Sequence, residues 1–282
     1  MTNRSIDLKI RTVYRDLSKK EKLIADFIIE KPEEIVHGTI SDVANIIGVA
    51  DSTLFQFTRK LGFKGFKDFR VAVITQQKIT DATIHEKVTE NDNELEIAKK
   101  VFEANLKTLK DSKALLDYDS LKKAGELIYK SNMLTFFGVG GSAIVAEDGY
   151  HKFLRTPINC QHSFDFHNQL IMASLMSDKD CALLISHTGR TVEMQEIAQL
   201  IKLRGAKLIL ITSYPQSEIA KLADVVFISL ADEIAYRSEA LAARISQLSI
   251  IDSLFIIVNF KDQKRSKETL RKVREVIKKK KT

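Results

Sequence analysis

Hydroxyl-bearing side chains are concentrated in the stretch ISHTGRTVE, residues 185–193. Ser186, Thr188 and Thr191 can each donate a hydrogen bond, and Gly189 leaves space beside them. A short apolar run precedes this stretch and apolar residues at helical spacing follow it, so it is predicted to be a strand-to-helix turn. Hydroxyls and backbone N–H groups at the positive end of a helix can bind a phosphate monoester.

A second candidate turn follows the apolar run 134–139 and contains several glycines. Gly140 and Gly141 would let a ligand approach the backbone, and Ser142 opens the next helix. The spacing also fits a relaxed dinucleotide fingerprint, with Asp165 at the distance of a ribose-binding carboxylate. Tight turns capped by Ser and Thr are the purely structural alternative. Two hydroxyl-rich strand ends in one sheet favour a phosphate ligand over a dinucleotide.

An alternating α/β pattern positions both turns. From Met133 onward, apolar runs alternate with helical stretches, as in a doubly wound, mainly parallel sheet. The runs cover 134–139, 182–185, 208–211 and 225–228. Ligands of such open sheets bind at the carboxyl ends of the strands, which is where both turns are predicted to lie.

The first 77 residues are predicted to be all-helical. Ser18 and Glu21 have the spacing of a capping box, and residues 39–42 open another helix. A helix-turn-helix motif is predicted next, because the lengths of its three parts fit. They are a helix over 41–47, a short turn ended by Asp51 and a helix over 52–61. We expect Val43, Ala44, Ile46 and Ile47 to face inward, Gly48 to end the first helix and Ser52 to cap the second.

The second helix of this motif would present a polar and basic face, because Leu54, Phe57 and Leu61 are expected to be buried. Side chains near the start of a recognition helix reach base edges, so the predicted base contacts are Ser52, Thr53 and Gln56. Glutamine pairs bidentately with adenine. The predicted phosphate contacts are Arg59, Lys60, Lys64 and Lys67. A solvated charged face is the alternative.

The net charge of +7 does not by itself indicate a nucleic-acid partner. Residues 264–282 hold 10 Lys and Arg against 2 Asp and Glu, a net of +8 that exceeds the whole surplus. Residues 1–77 hold 13 against 10, a net of +3. The local charge is more informative, since residues 52–70 hold five basic groups and one acid, Asp68.

Several classes of protein do not fit the sequence. Cys160 and Cys181 give neither a disulfide framework nor a zinc spacing, and the six histidines form no HExxH pair, so we predict no metal and no cofactor. Charged residues near the N-terminus interrupt any signal-peptide pattern. The apolar stretch 241–260 contains Arg244 and Asp252 and is predicted to be a buried helix. We therefore expect a cytoplasmic protein.

Four segments are predicted along the chain. They are a helix-turn-helix domain over 1–77, a helical connector over 78–129, an α/β domain over 130–263 and a basic helical tail over 264–282. The connector carries an apolar stripe, formed by Leu95, Ala98, Val101, Phe102, Leu106 and Leu109.

Several segments resemble one family of known proteins. The α/β part, with GYHKFLRTP at 149–157, DFHNQL at 165–170 and SEALAARISQLSIIDSLF at 238–255, resembles the RpiR/MurR family of bacterial transcriptional regulators. TRKLGFKGFKDFR at 58–70 resembles the same family. Its members join an N-terminal helix-turn-helix domain to a sugar isomerase (SIS) domain that senses a phosphosugar.

The resemblance implies an effector site made of the two polar turns. Ser142, Ser186, Thr188 and Thr191 would hold the phosphate. The further candidate effector residues are Gly140, Gly141, His162, His167, His187, Gly189 and Glu239. A structural role is the alternative for the two histidines His162 and His167, and stabilisation of the helix dipole is the alternative for Glu239. His187 and Thr188 stand where the family commonly has serine or another small polar residue. Gln56 stands where it often has arginine, which implies a different base preference.

The predicted function is that of a regulator whose operator binding is controlled by a phosphosugar. A phosphosugar isomerase remains an alternative, because Glu193, Glu239, His162 and His167 are available as general bases. A dinucleotide-responsive DNA-binding sensor is the third hypothesis. We also expect at least a homodimer, since paired half-sites usually supply the affinity that one recognition helix lacks. The candidate interfaces are the connector stripe and the apolar row Ile245, Leu248, Ile251 and Phe255.

Overall fold

The computed structural model describes residues 6–77, 89, 91–230 and 239–278. They form two compact units, Met1–Glu86 and Lys87–Thr282. The predicted boundaries at 77, 129 and 263 remain predictions, but the helices of the proposed connector belong to the same compact unit as the sheet.

The first unit contains six α-helices among its described residues. They are α1 (Ile6–Val13), α2 (Lys19–Glu30), α3 (Pro32–His37), α4 (Ile40–Ile47), α5 (Asp51–Lys60) and α6 (Phe66–Gln77). The predicted capping box is present at α2, where Ser18 Oγ accepts from the Glu21 N–H and Glu21 Oε2 accepts from the Ser18 N–H. Thr39 and Asp42 form a second capping box at α4. Local sequence therefore sets where both helices begin.

Helices α4 and α5 form the helix-turn-helix, with two corrections to the prediction. Helix α5 begins at Asp51 with Ala50 as its N-cap, so Ser52 is not the cap. Ile46 is 55% exposed, because the buried stripe of α4 runs along Val43 and Ala44. Gly48 ends α4 at φ +80°, as predicted for a left-handed C-cap.

The second unit contains a five-stranded, all-parallel sheet. Its strands are β1 (Leu134–Phe137), β2 (Cys160–His162), β3 (Cys181–Ile185), β4 (Lys207–Thr212) and β5 (Val225–Ile228), in the order β2-β1-β3-β4-β5. Four of the five were predicted. The sequence analysis missed β2, because three half-buried residues at a sheet edge carry no apolar run.

The described part of the second unit also contains helices. They are α7 (Glu94–Ala114), α8 (Tyr118–Lys130), α9 (Gly141–Phe153), α10 (Phe166–Ser174), α11 (Val192–Leu203), α12 (Glu218–Leu222), α13 (Glu239–Lys261) and α14 (Gln263–Lys278). Phe136 and Leu183 point to the side of α8, α9 and α13. Phe137 and Leu184 point to the side of α10, α11 and α12. This alternation gives the sheet a hydrophobic core on each face.

Helix α13 lies within the first of these cores. Ala242–Lys261 is the one segment of the described helices with the length and hydropathy of a membrane span. Ile251 and Leu254 of this segment are fully buried against the sheet side. The helix predicted to be buried over 241–260 therefore packs in the core on its inward side only, since Ile256 and Phe260 are 50% and 69% exposed.

Candidate functional site

The two polar turns lie side by side at the carboxyl edge of the sheet. Strand β1 pairs with β3 in a register that places Phe137 opposite Leu184, and each turn begins just beyond this pair. Strand β1 also separates β2 from β3, so the chain winds in opposite directions on either side of it. Such a switch point is the usual ligand crevice of open α/β sheets. The tertiary structure thus brings together two turns that are about 50 residues apart in sequence.

The first turn leads into the N-terminus of α9. Gly140 is the N-cap, its φ is +56°, and no side chain caps the helix. Backbone N–H groups at an uncapped helix end attract anions. Gly138 cannot carry a side chain, since a Cβ there would lie 2.8 Å from the Ser142 carbonyl oxygen. Ser142 is half-buried in the first turn of α9.

A buried glutamine fixes the shape of the first turn. Gln169, in α10, is 0% exposed. Its Nε2 donates to the Gly138 carbonyl at 2.8 Å and to the Ser163 carbonyl at 2.9 Å, and its Oε1 accepts from the Gly138 N–H at 3.2 Å. Sequence reasoning missed Gln169, because a single glutamine in a helix carries no motif.

The second turn joins β3 to α11 and is held by its own hydroxyls. Ser186 is 3% exposed, and its Oγ accepts from the Gly189 N–H at 3.2 Å. Thr188 Oγ1 accepts from the Arg190 N–H at 3.2 Å. Thr191 is the N-cap of α11, yet its side chain makes no capping hydrogen bond. Both bonded hydroxyls accept from the backbone, so their own protons remain available for an anion.

Gly189 packs closely against the segment after β4. Its φ is +61°, and a Cβ at this position would lie 2.2 Å from Ser217 Oγ. Any side chain would therefore displace Ser217 as well as strain the backbone. Glycine is required here by the close approach of two loops, one from β3 and one from β4.

His187 is anchored to the neighbouring strand end. Its Nδ1 lies 2.9 Å from Ser213 Oγ, and its carbonyl accepts from the Ser213 N–H at 2.9 Å. The His187 ring also makes an edge contact with Tyr214, with centroids 6.0 Å apart. The imidazole therefore helps to hold the β3 and β4 turns together.

The other predicted effector residues are distributed around β2, α10 and α13. The His162 side chain is 1% exposed, its Nδ1 lies 3.0 Å from the Phe136 carbonyl, and its Nε2 lies 3.6 Å from Glu147. His167 is exposed in the first turn of α10. Glu239 is the first residue of α13, and its side chain lies outside the described part of the structure. Asp165, the candidate ribose ligand, caps α10 by accepting from the Asn168 N–H at 2.8 Å.

An arginine missed by the sequence analysis lies beside the first turn. Arg244 of α13 is half-buried, and its Nη2 is 3.3 Å from the position of a Cβ on Gly141. A guanidinium here adds positive charge at the N-terminus of α9. The sequence showed Arg244 only as a charge in an apolar helix, because its neighbour is 103 residues away.

Among the described residues, no group of three or more His, Cys, Asp or Glu side chains could hold a metal ion.

The two cysteines are unreactive for a physical reason. Burial raises the pKa of the Cys160 thiol to about 11. The pKa of Cys181 is also raised, by burial and by the nearby Asp224 and Asp180. Both thiols are thereby poor nucleophiles at neutral pH.

The predicted DNA-contacting residues lie on the exposed side of α5 and just after it. Ser52, Gln56 and Arg59 are exposed at helical spacing on one face, and Thr53 is half-buried. Lys64 and Lys67 are exposed beyond the helix end. Because Ser52 does not cap α5, its hydroxyl stands on the open face. Phe55 is 39% exposed, and its ring packs where a Cβ on Gly65 would be.

Lys60 differs from the other basic residues of this surface. Its Nζ forms an ion pair with Glu21 Oε1 at 2.8 Å. Burial would raise the pKa of Glu21, but hydrogen bonds from Lys60 and Ser18 hold that pKa below its ordinary value. A lysine that must leave such a pair contributes less to phosphate binding than an unpaired one.

A helix-turn-helix unit joined in one chain to a parallel α/β unit defines a DNA-binding transcriptional regulator. Two family models match the chain: the helix-turn-helix domain of the rpiR family over residues 5–79 and the SIS domain over 127–257. The chain belongs to the RpiR family of transcriptional regulators, as the sequence motifs predicted.

Individual relatives agree with this family. An uncharacterized HTH-type transcriptional regulator of Thermotoga maritima is 32% identical, covering 94% of this chain and 95% of its own. The HTH-type transcriptional regulator HexR of Escherichia coli is 30% identical, covering 96% and 93%. The Vibrio vulnificus NanR protein, solved in complex with ManNAc-6P, is 23% identical and superposes with a TM-score of 0.60 over 96% of this chain and 97% of its own. That last likeness shows the fold.

Proposed function

We propose that a phosphorylated sugar binds at the two polar turns of the SIS unit and controls binding of this regulator to its operator DNA. The observation that carries the proposal is the adjacency of the two turns at the sheet switch point. Ser186, Thr188 and Thr191 supply hydroxyl donors on one side, and the uncapped start of α9 supplies backbone donors on the other. A phosphate monoester with nearly two negative charges fits such a set of donors.

The chemistry of the surroundings favours an anionic ligand. Arg244 stands beside the α9 N-terminus, and Arg190 lies at the start of α11 with its guanidinium 5.2 Å from the Tyr214 ring centre. NanR supports a phosphosugar in particular, since that protein of the same fold was solved with ManNAc-6P. Among the described residues other than its chain neighbours, nothing lies within 4 Å of the position of a Cβ on Gly140, so the first turn leaves room for the sugar phosphate to approach the backbone.

A regulatory rather than an enzymatic role is supported by the names of the relatives, which are transcriptional regulators. Of the general bases considered from sequence, Glu193 is exposed in the first turn of α11 and His162 is buried against the Phe136 carbonyl. His167 is exposed on α10, and the side chain of Glu239 lies outside the described part of the structure. Incubating the protein with aldose and ketose phosphates and following interconversion tests this directly.

We also propose that the protein is cytoplasmic and works as a homodimer or larger oligomer. The connector stripe supports an interface, because Leu95, Phe102 and Leu106 are 63%, 70% and 63% exposed on α7. The alternative row on α13 is occupied within the chain: Ile251 is fully buried, and Leu248 and Phe255 pack against the same core. A second copy that covers the α7 stripe would pair two recognition helices for a two-fold operator.

Calorimetry tests the effector site. The protein is titrated with N-acetylmannosamine 6-phosphate and a panel of hexose and acid-sugar phosphates, then with the unphosphorylated sugars and with NADH. We expect binding by phosphorylated sugars alone. Ser186→Ala should weaken that binding about tenfold or more, since a charge-assisted hydrogen bond is worth about 1.5–3 kcal/mol.

Ser131→Ala is the matched control. Ser131 precedes β1, at the amino ends of the strands, and its hydroxyl donates a hydrogen bond to the Ile128 carbonyl. Equal affinity for sugar and sugar phosphate would contradict the proposal. So would native affinity in Ser186→Ala, whereas tight binding of NADH would favour the dinucleotide sensor.

A further inference from the structure

The C-terminal helix α14 carries a continuous basic stripe that the functions above do not use. Gln263–Lys278 contains seven Lys and Arg residues and two Glu residues, which gives a net charge of +5. At 100° per residue, five of the seven cations fall within one quarter of the helix circumference. These five are Lys264, Lys267, Arg271, Arg274 and Lys278, and all are exposed.

Most of this stripe is electrostatically unsatisfied. The described ion pairs of α14 are Arg265–Asp262 at 3.7 Å, Arg271–Glu275 at 3.4 Å and Lys272–Glu268 at 2.9 Å. Two of these pairs, those of Arg265 and Lys272, lie on the opposite side of the helix from the stripe. Of the five stripe cations, only Arg271 has an ion pair within the described part of the chain. Lys264, Lys267, Arg274 and Lys278 have no carboxylate within ion-pair distance there. Their mutual repulsion costs free energy that an anionic partner would relieve.

The spacing of the stripe suits a chain of phosphates. Successive cations are three or four residues apart, so the stripe is about 21 Å long at 1.5 Å per residue. A regular line of cations neutralises a regular line of phosphates and releases their counterions. Three more lysines, Lys279–Lys281, continue the charge in the sequence. We propose that the basic stripe of α14 binds the phosphate backbone of DNA and gives this regulator a second, sequence-independent DNA-binding surface besides the helix-turn-helix.

DNA is a better match than an anionic membrane. Membrane-surface helices insert a broad apolar face rich in Trp, Phe and Leu. Helix α14 has no aromatic residue, and Leu270 and Val273 on its apolar side are half-buried. Val276 and Ile277, at its end, are 62% and 48% exposed. DNA is also the partner of the helix-turn-helix domain in a transcriptional regulator of the RpiR family.

Two matched double variants of the full chain test this proposal. Lys267→Gln with Arg274→Gln removes two stripe cations, and Arg265→Gln with Lys272→Gln removes two from the other side. Each double variant lowers the net charge by two, and glutamine is a good helix former at all four positions. Binding to a random-sequence 40-base-pair duplex is measured by fluorescence anisotropy over a range of salt concentrations.

The stripe variant should reduce the slope of log K against log salt by about 1.8, since each DNA phosphate that is no longer neutralised lowers the slope by about 0.9. The control variant should keep the native slope. If the slope falls equally in both variants, net charge alone explains the change and the proposal is wrong. The proposal is also wrong if both variants keep the native slope. Flotation with phosphatidylserine vesicles and sedimentation of the protein alone are run in parallel. If the stripe variant loses vesicle binding or self-association while its DNA slope stays native, the stripe serves that partner and not DNA.

Discussion

The buried amide of Gln169 pairs with both backbone groups of Gly138, donating to its carbonyl at 2.8 Å and accepting from its N–H at 3.2 Å. This is the hydrogen-bonding pattern of a neighbouring strand, supplied by one side chain from α10. It fixes the backbone that leads into the uncapped end of α9. The shape of the proposed phosphate site therefore depends on a residue that need not touch the ligand.

Replacing Gln169 by Leu should weaken phosphosugar binding and also lower the melting temperature. The change leaves the Gly138 N–H and carbonyl buried without partners, at about 1–3 kcal/mol for each group. Gln161→Leu is the control, because Gln161 Nε2 bonds Thr135 Oγ1 at 3.1 Å, away from the turn. Calorimetry and thermal melting are run on both variants. Equal affinities at equal melting temperatures would contradict a positioning role for Gln169.

Gln56→Ala should relax sequence preference at one operator position. A bidentate pair with a base discriminates by about 1–3 kcal/mol, and Gln56 is exposed on the same face of α5 as Ser52 and Arg59. Arg59→Ala should instead weaken binding to every sequence. Selection from a randomised duplex pool, followed by affinity measurements on single-base variants, separates the two effects. A uniform loss of affinity in Gln56→Ala would show that Gln56 reads no base.

Lys67→Gln should reduce the salt dependence of DNA binding more than Lys60→Gln does. Lys67 is exposed with no carboxylate partner in the described structure, whereas Lys60 is held by Glu21 at 2.8 Å. We expect the log–log salt slope to fall by about 0.9 for Lys67→Gln and by less for Lys60→Gln. Anisotropy titrations at several salt concentrations measure both slopes. The reverse order would mean that Lys60 leaves its ion pair on DNA.

The stability of the helix-turn-helix unit should fall between about pH 10 and pH 12. A 2.5 Å hydrogen bond from Tyr14 Oη to Asp26, together with burial, raises the pKa of Tyr14 from 10.0 to about 12. The folded state thus keeps a proton that the unfolded chain releases near pH 10, so this stabilisation is present below pH 10 and is lost as pH rises to 12.

Tyr14→Phe should therefore be less stable than the native chain at pH 8, and the difference should shrink toward pH 12. Urea unfolding followed by circular dichroism at each pH measures this difference. Tyr118→Phe is the control, since Tyr118 is 75% exposed. A difference that does not change with pH would refute the role of the Tyr14 hydroxyl.

Phe102→Asp should reduce self-association. Phe102 is 70% exposed in the middle of the connector stripe. If this stripe is the dimer interface, the introduced carboxylate would be buried there without a partner, which costs free energy. Leu203→Asp introduces the same charge on α11, at a residue that is 77% exposed. Sedimentation equilibrium at micromolar concentration should show smaller species for Phe102→Asp alone. A native chain that is already monomeric, with or without operator DNA, would remove the prediction.

The sequence by itself determined the elements and the chemistry that they carry. The capping boxes at Ser18 and Thr39, the left-handed Gly48 and four apolar strands are short-range patterns, and they produced the predicted helices and strands. Strand β2 was missed because burial at a sheet edge leaves no periodic signal. The cap of α5 and the inward side of α4 were misjudged at Ser52 and Ile46, where tertiary packing outweighed local preference.

Only the tertiary structure decided which of these groups meet. The strand order places the two polar turns side by side, and no local pattern contains that order. Gln169 reaches Gly138 across 31 residues, and Lys60 reaches Glu21 across 39. Arg244 approaches Gly141 only because α13 packs beside α9. Periodicity and capping act over one or two turns of chain, whereas these long-range interactions depend on which faces the packed core brings together.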